Sequence, residues 1–117
     1  MDFDASVPIY LQIMEQIREK VVSGQWGAGE HVTPVRDLAA QFSVNPNTMQ
    51  RALAELDREG LLKNERTSGR FVTTDTALIA HCRNALVAAR TTHFAEDMAR
   101  LGLTRADILA AVQSGLK

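Results

Sequence analysis

The run VNPNTMQRALAELDREG, residues 44–60, decides how this chain is read. Asn, Pro, Asn and Thr favour turns and helix starts, because their short side chains bond to nearby backbone groups or fix φ. From Met49 onward, apolar residues fall at Met49, Ala52, Leu53 and Leu56, the i, i+3, i+4, i+7 spacing of one helix face. Asn45 therefore reads as the N-cap, Pro46 as the first helical residue and Gly60 as the stop. The spacing predicts a helix over about Pro46–Glu59, with Asn47, Gln50, Arg51, Ala54 and Arg58 on its other face.

Working outward from it, TPVRDLAAQF precedes this helix across a short break. Thr33 reads as N-cap and Pro34 as the first helical position, with Val35, Leu38, Ala39 and Phe42 on one face, so a helix is expected over about 34–41. Before that, VPIYLQIMEQIREKVVSG places Ile9, Tyr10, Ile13, Met14, Ile17 and Val21 at helical spacing, between Pro8 at the first position and Gly24 at the end, over about 8–23. The glycine-rich GQWGAGEHV reads as a tight loop whose Trp26 packs on the core. After Gly60, LLKN and RFVT flank the polar ERTSG as a β-hairpin. Helix, helix, short turn, helix, hairpin is the order of a winged helix-turn-helix.

The C-terminal part is helical again. From Thr76 to Leu101 there is no proline or glycine, and a helix of that length spans about 39 Å. Ile79, Cys82, Leu86 and Ala89 form a stripe that Val87, Phe94, Met98 and Leu101 continue with a drift. Gly102 ends the helix, and Thr104 with Asp107 makes a capping box for a fifth helix over about 105–114, carrying Ile108, Leu109 and Val112. The expected fold is mainly α with a small β-hairpin: a winged helix-turn-helix DNA-binding domain at residues 1–75 and a two-helix dimerisation region at 76–117. Two helices are too little to enclose a ligand pocket of several hundred Å³. The tail is therefore read as a dimer interface through Ile79, Cys82, Leu86, Phe94, Met98, Leu101 and Ile108, and a small-molecule effector is left open.

Composition sets limits. With 117 residues, 45% apolar, the chain holds one or two small domains and a modest core. The formal charge is −1, which argues against a polycationic binder but not against a compact reader with a few placed cations. Residues 31–73 carry six basic and five acidic side chains, so such a site depends on placement. The single cysteine, Cys82, excludes an internal disulfide. No signal sequence or membrane-spanning run is read, and a cytoplasmic location is expected. His31, His81, His93 and Cys82 make no metal-ligand spacing, and no nucleophile or paired-carboxylate arrangement is found. Neither an enzyme nor a cofactor is expected.

An α-helix fits the major groove, and in helix-turn-helix proteins the start of the motif's second helix meets the base edges. Asn and Gln pair bidentately with adenine and Arg with guanine, and the helix N-terminus attracts phosphate. Asn45, Asn47, Thr48, Gln50 and Arg51 suit that task. Arg36, near the start of the preceding helix, suits a phosphate, and Ser68, Gly69 and Arg70 at the hairpin suit the backbone or minor groove. A winged helix used for protein or RNA contact, without operator specificity, is the alternative.

The run from PIYLQIMEQIREKVVSGQWGAGEHV (8–32) through VRDLAAQFSVNPNTMQRALAELDREGLL (35–62) to SGRFV (68–72) resembles the winged-helix domain of the GntR family of bacterial transcription regulators. VNPNT, the downstream RAL and the short two-helix tail look like its YtrA-type subfamily. The resemblance implies a homodimer, usually a repressor, on a near-palindromic double-stranded DNA operator. It places Arg36 at the DNA backbone, Asn45, Asn47, Thr48, Gln50 and Arg51 at bases or phosphates, and Ser68, Gly69 and Arg70 toward the minor groove. Where the family has Leu-Pro-Ser this chain has Val32, Thr33 and Pro34, which moves the expected hydroxyl contact one place to Thr33. Thr67 replaces the first glycine of the family's Gly-x-Gly wing.

Overall fold

The structure is a computed structural model describing residues 3–117; residues 1 and 2 of the expected first domain lie outside it. Residue contacts divide the chain into two compact units, one ending at Arg83 and the next beginning at Asn84.

The first unit holds α1 (Ile9–Val22), α2 (Val35–Phe42), α3 (Pro46–Glu59), β1 (Leu62–Glu65) and β2 (Gly69–Val72), with the first turns of α4 (Thr76–Arg100). α3 lies at its centre, packed against α1, α2 and β1. Ile13, Met14, Ile17 and Val21 of α1 meet Leu38, Ala39 and Phe42 of α2 and Met49, Ala52, Leu53 and Leu56 of α3, and Val32, Leu61, Leu62 and Val72 close the core. Burial of that apolar face, about 25 cal/mol per Å² removed from water, is the main force holding three short helices together.

Helix boundaries follow from caps. The Asn45 side chain accepts the Asn47 N–H at 2.7 Å, Pro46 occupies the first helical position, and Gly60 closes α3 with φ +85°. The prolines before α1 and α2 stand one place earlier than expected. The first i→i+4 bonds run to their carbonyls, Gln12 N–H to Pro8 and Leu38 N–H to Pro34, so Pro8 and Pro34 are themselves the cap residues. Thr33 is consequently not the N-cap of α2: it lies outside the helix, half-buried, and α2 starts with no side-chain cap. The turn into α3 uses Ser43 in the left-handed region, φ 56° and ψ 44°, and Val44, half-buried against the core.

The hairpin has a further partner. β1 and β2 pair antiparallel with Leu62 opposite Val72 and Glu65 opposite Gly69, around the turn Arg66–Ser68. On the other edge of β2, residues 29–32 run alongside. Gly29 N–H bonds to the Val72 carbonyl, Val72 N–H to Glu30 and Val32 N–H to Arg70, with a bridge between His31 and Phe71. The stretch expected as a plain loop thus flanks the wing, its strand character hidden among three glycines. Gly69 is fixed there by space and conformation. Its φ is +101°, and an added Cβ would stand 2.6 Å from Nε2 of His31, whose ring packs edge-on against Phe71. Gly69→Ala is therefore expected to lower the unfolding free energy by about 1–2 kcal/mol. A shifted urea midpoint reads this; an unmoved midpoint would mean the His31 ring and the turn adapt freely.

The second unit holds the rest of α4 and α5 (Arg105–Gly115), joined by a short turn. Gly102, at φ +85°, ends α4, with Gly102 N–H bonding to the Ala99 carbonyl and Leu103 N–H to that of Met98. Thr104 and Asp107 form the expected capping box, each side chain bonding to the other's backbone N–H. The Thr104 backbone N–H, and after it the Thr104 hydroxyl, hold the Asp107 carboxyl below its ordinary pKa. No side chain of α4 or α5 is fully buried. Among the described residues no helix is long and apolar enough to cross a membrane.

Candidate nucleic-acid interface

The cap at Asn45 and the packing of Met49, Ala52, Leu53 and Leu56 fix which side of α3 turns outward. Asn47, Gln50 and Arg51 are exposed, with Ala54 half-exposed in the same row, and Asn45 and Pro46 are exposed at the helix start. Thr48 is half-buried beside fully buried Met49, so its hydroxyl sits at the margin of this edge. The first-turn N–H groups of α3 lie at the positive end of the helix dipole, which favours an anion. The arrangement presents two amides and a guanidinium in one row at a helix N-terminus, a donor and acceptor set that matches base edges.

Arg51 has one contact that spacing did not reveal. Its guanidinium carbon lies 3.8 Å from the centre of the Tyr10 ring on α1. Tyr10, part of the apolar stripe of α1, is half-buried against the core and also forms a face for Arg51. Arg36 is exposed on the first turn of α2, and no hydrogen bond or ion pair ties it among the described residues.

The wing departs from expectation at one residue. Arg70 is not displayed at the tip. Its side chain is only 9% exposed and grips Asp57 of α3 through Nε and Nη2, at 3.0 and 2.9 Å. In the register Arg70 faces Asn64, two pairs before the turn, and its side chain folds back under the wing to the C-terminal half of α3. It is a structural strut between hairpin and helix. The exposed cations of the hairpin are Lys63 and Arg66, and Arg66, which the sequence reading did not single out, lies in the turn itself beside exposed Ser68. Thr33, Pro34 and Val35 share a shallow concavity of about 180 Å³ with His31, Asn64, Gly69 and Arg70, which brings the start of α2 next to the wing.

The residues expected at a dimer interface also divide. Ile79 and Cys82 pack against the core of the first unit, and Arg83 donates to the Val22 carbonyl at the end of α1. The first turns of α4 thus belong to the winged unit, and that apolar surface is used within the chain. Burial raises the Cys82 thiol pKa, which disfavours a reactive thiolate. Leu86, Met98 and Ile108 are half-buried, whereas Phe94 and Leu101 are exposed. Among the described residues no three His, Cys, Asp or Glu side chains are grouped to hold a metal.

Residues 9–72 match the family model of the bacterial regulatory proteins of the gntR family. The chain belongs to the GntR family. This GntR protein is 33% identical over 112 residues to the uncharacterized HTH-type transcriptional regulator YhcF of Bacillus subtilis, covering 96% of this chain and 93% of that one. It is 32% identical over 101 residues to the HTH-type transcriptional repressor YtrA of the same organism, covering 86% and 73%. Among solved structures, a GntR family transcriptional regulator from Listeria monocytogenes superposes with a TM-score of 0.87 at 36% identity, covering 97% of this chain and all of that one. The DNA-binding domain of AraR, solved in complex with operator ORX1, superposes at 0.54 with 28% identity, over 57% of this chain and 81% of that one. The family and these relatives are transcription regulators, not enzymes.

Proposed function

We propose that this GntR protein is a repressor that binds a near-palindromic operator as a homodimer, reading the major groove with the start of α3. The observation that carries the reading is the exposed row Asn47, Gln50 and Arg51 at a capped helix N-terminus, backed by a buried apolar face that fixes its direction. Arg36 adds an untied cation for the phosphate backbone, and Arg66 and Ser68 add a polar wing turn. Thr33 and Gly69 line the concavity between the start of α2 and the wing. Relatives named as repressors, and an operator-bound structure of a related DNA-binding domain, support the same reading.

The test is selection of duplexes from a random-sequence pool, followed by titration of the recovered duplex and a scrambled one at about 0.15 M salt, since affinity without a stated salt means little. Asn47→Ala and Arg51→Ala are each expected to weaken the selected duplex by about 1–3 kcal/mol and to relax preference at one position per half-site. Arg36→Ala should weaken both duplexes alike and flatten the salt dependence. Equal affinity of the wild-type chain for selected and scrambled duplexes would overturn the reading in favour of a protein- or RNA-contact module.

A further inference from the structure

We infer that Tyr10 is a positioning residue for DNA reading: its ring holds the Arg51 guanidinium flat on the flank of α3, without neutralising it. The inference rests on the proposal that the start of α3 faces DNA. Tyr10 lies on the first turn of α1, half-buried against the core, so its ring is a fixed surface. α1 and α3 are packed together by Ile13, Ile17, Met49 and Leu53, all fully buried, which sets the spacing between ring and guanidinium. At 3.8 Å from the ring centre, the guanidinium uses its π-face for Tyr10. Its five N–H donors lie in the plane of the group and stay free for an acceptor pair.

Other arginines of the winged unit are held differently. Arg18 is paired to Glu59, Arg58 to Glu55 and Arg70 to Asp57. A carboxylate partner fixes an arginine but competes with phosphate or base for the same N–H groups. A neutral ring fixes it and leaves the charge and the donors intact. An arginine on a bare helix face loses rotamer freedom when it docks, and one already stacked has lost part of it beforehand. That is preorganisation, and it is specific to the position that Arg51 reads.

The test is a double-mutant cycle on the full chain, using the duplex recovered by selection with the wild-type protein and a scrambled duplex as probes. Tyr10→Leu is expected to weaken the selected duplex about fivefold, the upper end for an exposed cation–π pair. Tyr10→Phe, which keeps the ring, should stay within about twofold of wild type. In an Arg51→Ala background, Tyr10→Leu should change affinity by less than about twofold, because its partner is gone. Any general cost of Tyr10→Leu to folding appears in both backgrounds and cancels. Equal losses in the two backgrounds, or a Tyr10→Phe loss as large as that of Tyr10→Leu, would overturn the positioning role. An Arg51→Ala chain that binds as well as wild type would instead overturn the DNA reading of α3, and the proposal with it.

Discussion

Asp57→Ala is expected to destabilise the winged unit by about 2–3 kcal/mol, although Asp57 is not itself an expected DNA contact. The substitution leaves the Arg70 guanidinium, 9% exposed, with its three bonds to the carboxylate lost. Removing one partner of a buried pair exposes the desolvation penalty of the other, which is the larger part of such losses. Asp57 is itself 22% exposed, so water reaches the pair and the figure stays below the full range for deep burial. Urea unfolding followed by the fluorescence of the single tryptophan, Trp26, half-buried beside the core, measures it. The double replacement Asp57→Leu with Arg70→Met removes both charges together and should recover much of the stability. It should not recover operator affinity, since the strut that holds the wing at a set angle to α3 is still missing. A loss below about 0.5 kcal/mol for Asp57→Ala would mean that Arg70 finds another partner or swings out to water.

The placement of Arg70 shows which part of the candidate site is not legible in local sequence. The helices of the winged unit were legible because their information is local: a period of 3.6 residues, Asn45 with Pro46 at one end of α3 and Gly60 at the other. Arg70 beside Ser68 and Gly69 is equally local, and on that scale it looks like a wing-tip cation. Its true partner lies thirteen residues back on another element, and only the hairpin register turns the side chain toward it. Residues 29–32 pair with β2 by backbone hydrogen bonds, and the neighbouring glycines hide the strand from a reading by side-chain alternation. Tyr10 fails to stand out for a similar reason, because a half-buried aromatic at helical spacing looks like core. The stripe through Ile79 and Cys82 was correctly seen as apolar, but periodicity does not say whether a face is covered by its own chain or by another. Here its first turns are covered by the winged core.

Phe94→Glu is expected to convert the protein from a dimer to a monomer and to reduce operator affinity by at least about 100-fold. The reasoning begins with the size of the second unit. Residues 84–117 hold the rest of α4 and all of α5 with no buried side chain, and a unit below about 40 residues has too little core of its own to be stable alone. A second copy of this chain is the partner proposed above for the surface of this unit. The helix has a seam for it. Val87, Thr91, Phe94, Met98 and Leu101 follow one another at intervals of four, three, four and three, the spacing of a coiled-coil contact line. Val87, Phe94 and Leu101 along that line are 57%, 38% and 71% exposed. Leu109 and Val112 of α5 add further uncovered apolar surface. A glutamate in the middle of the seam places like charges opposite each other in a dimer, whereas Phe94→Leu keeps it apolar and should leave the assembly intact. Light scattering at micromolar concentration should give twice the chain mass for the wild type and for Phe94→Leu, and the single-chain mass for Phe94→Glu. The affinity loss follows because two linked half-sites bind with an effective concentration that a lone winged unit lacks. The monomer should therefore keep a weak, strongly salt-dependent affinity for any duplex while losing its preference for the operator. A wild-type chain that scatters as a monomer would refute the dimer and leave the exposed seam to another partner.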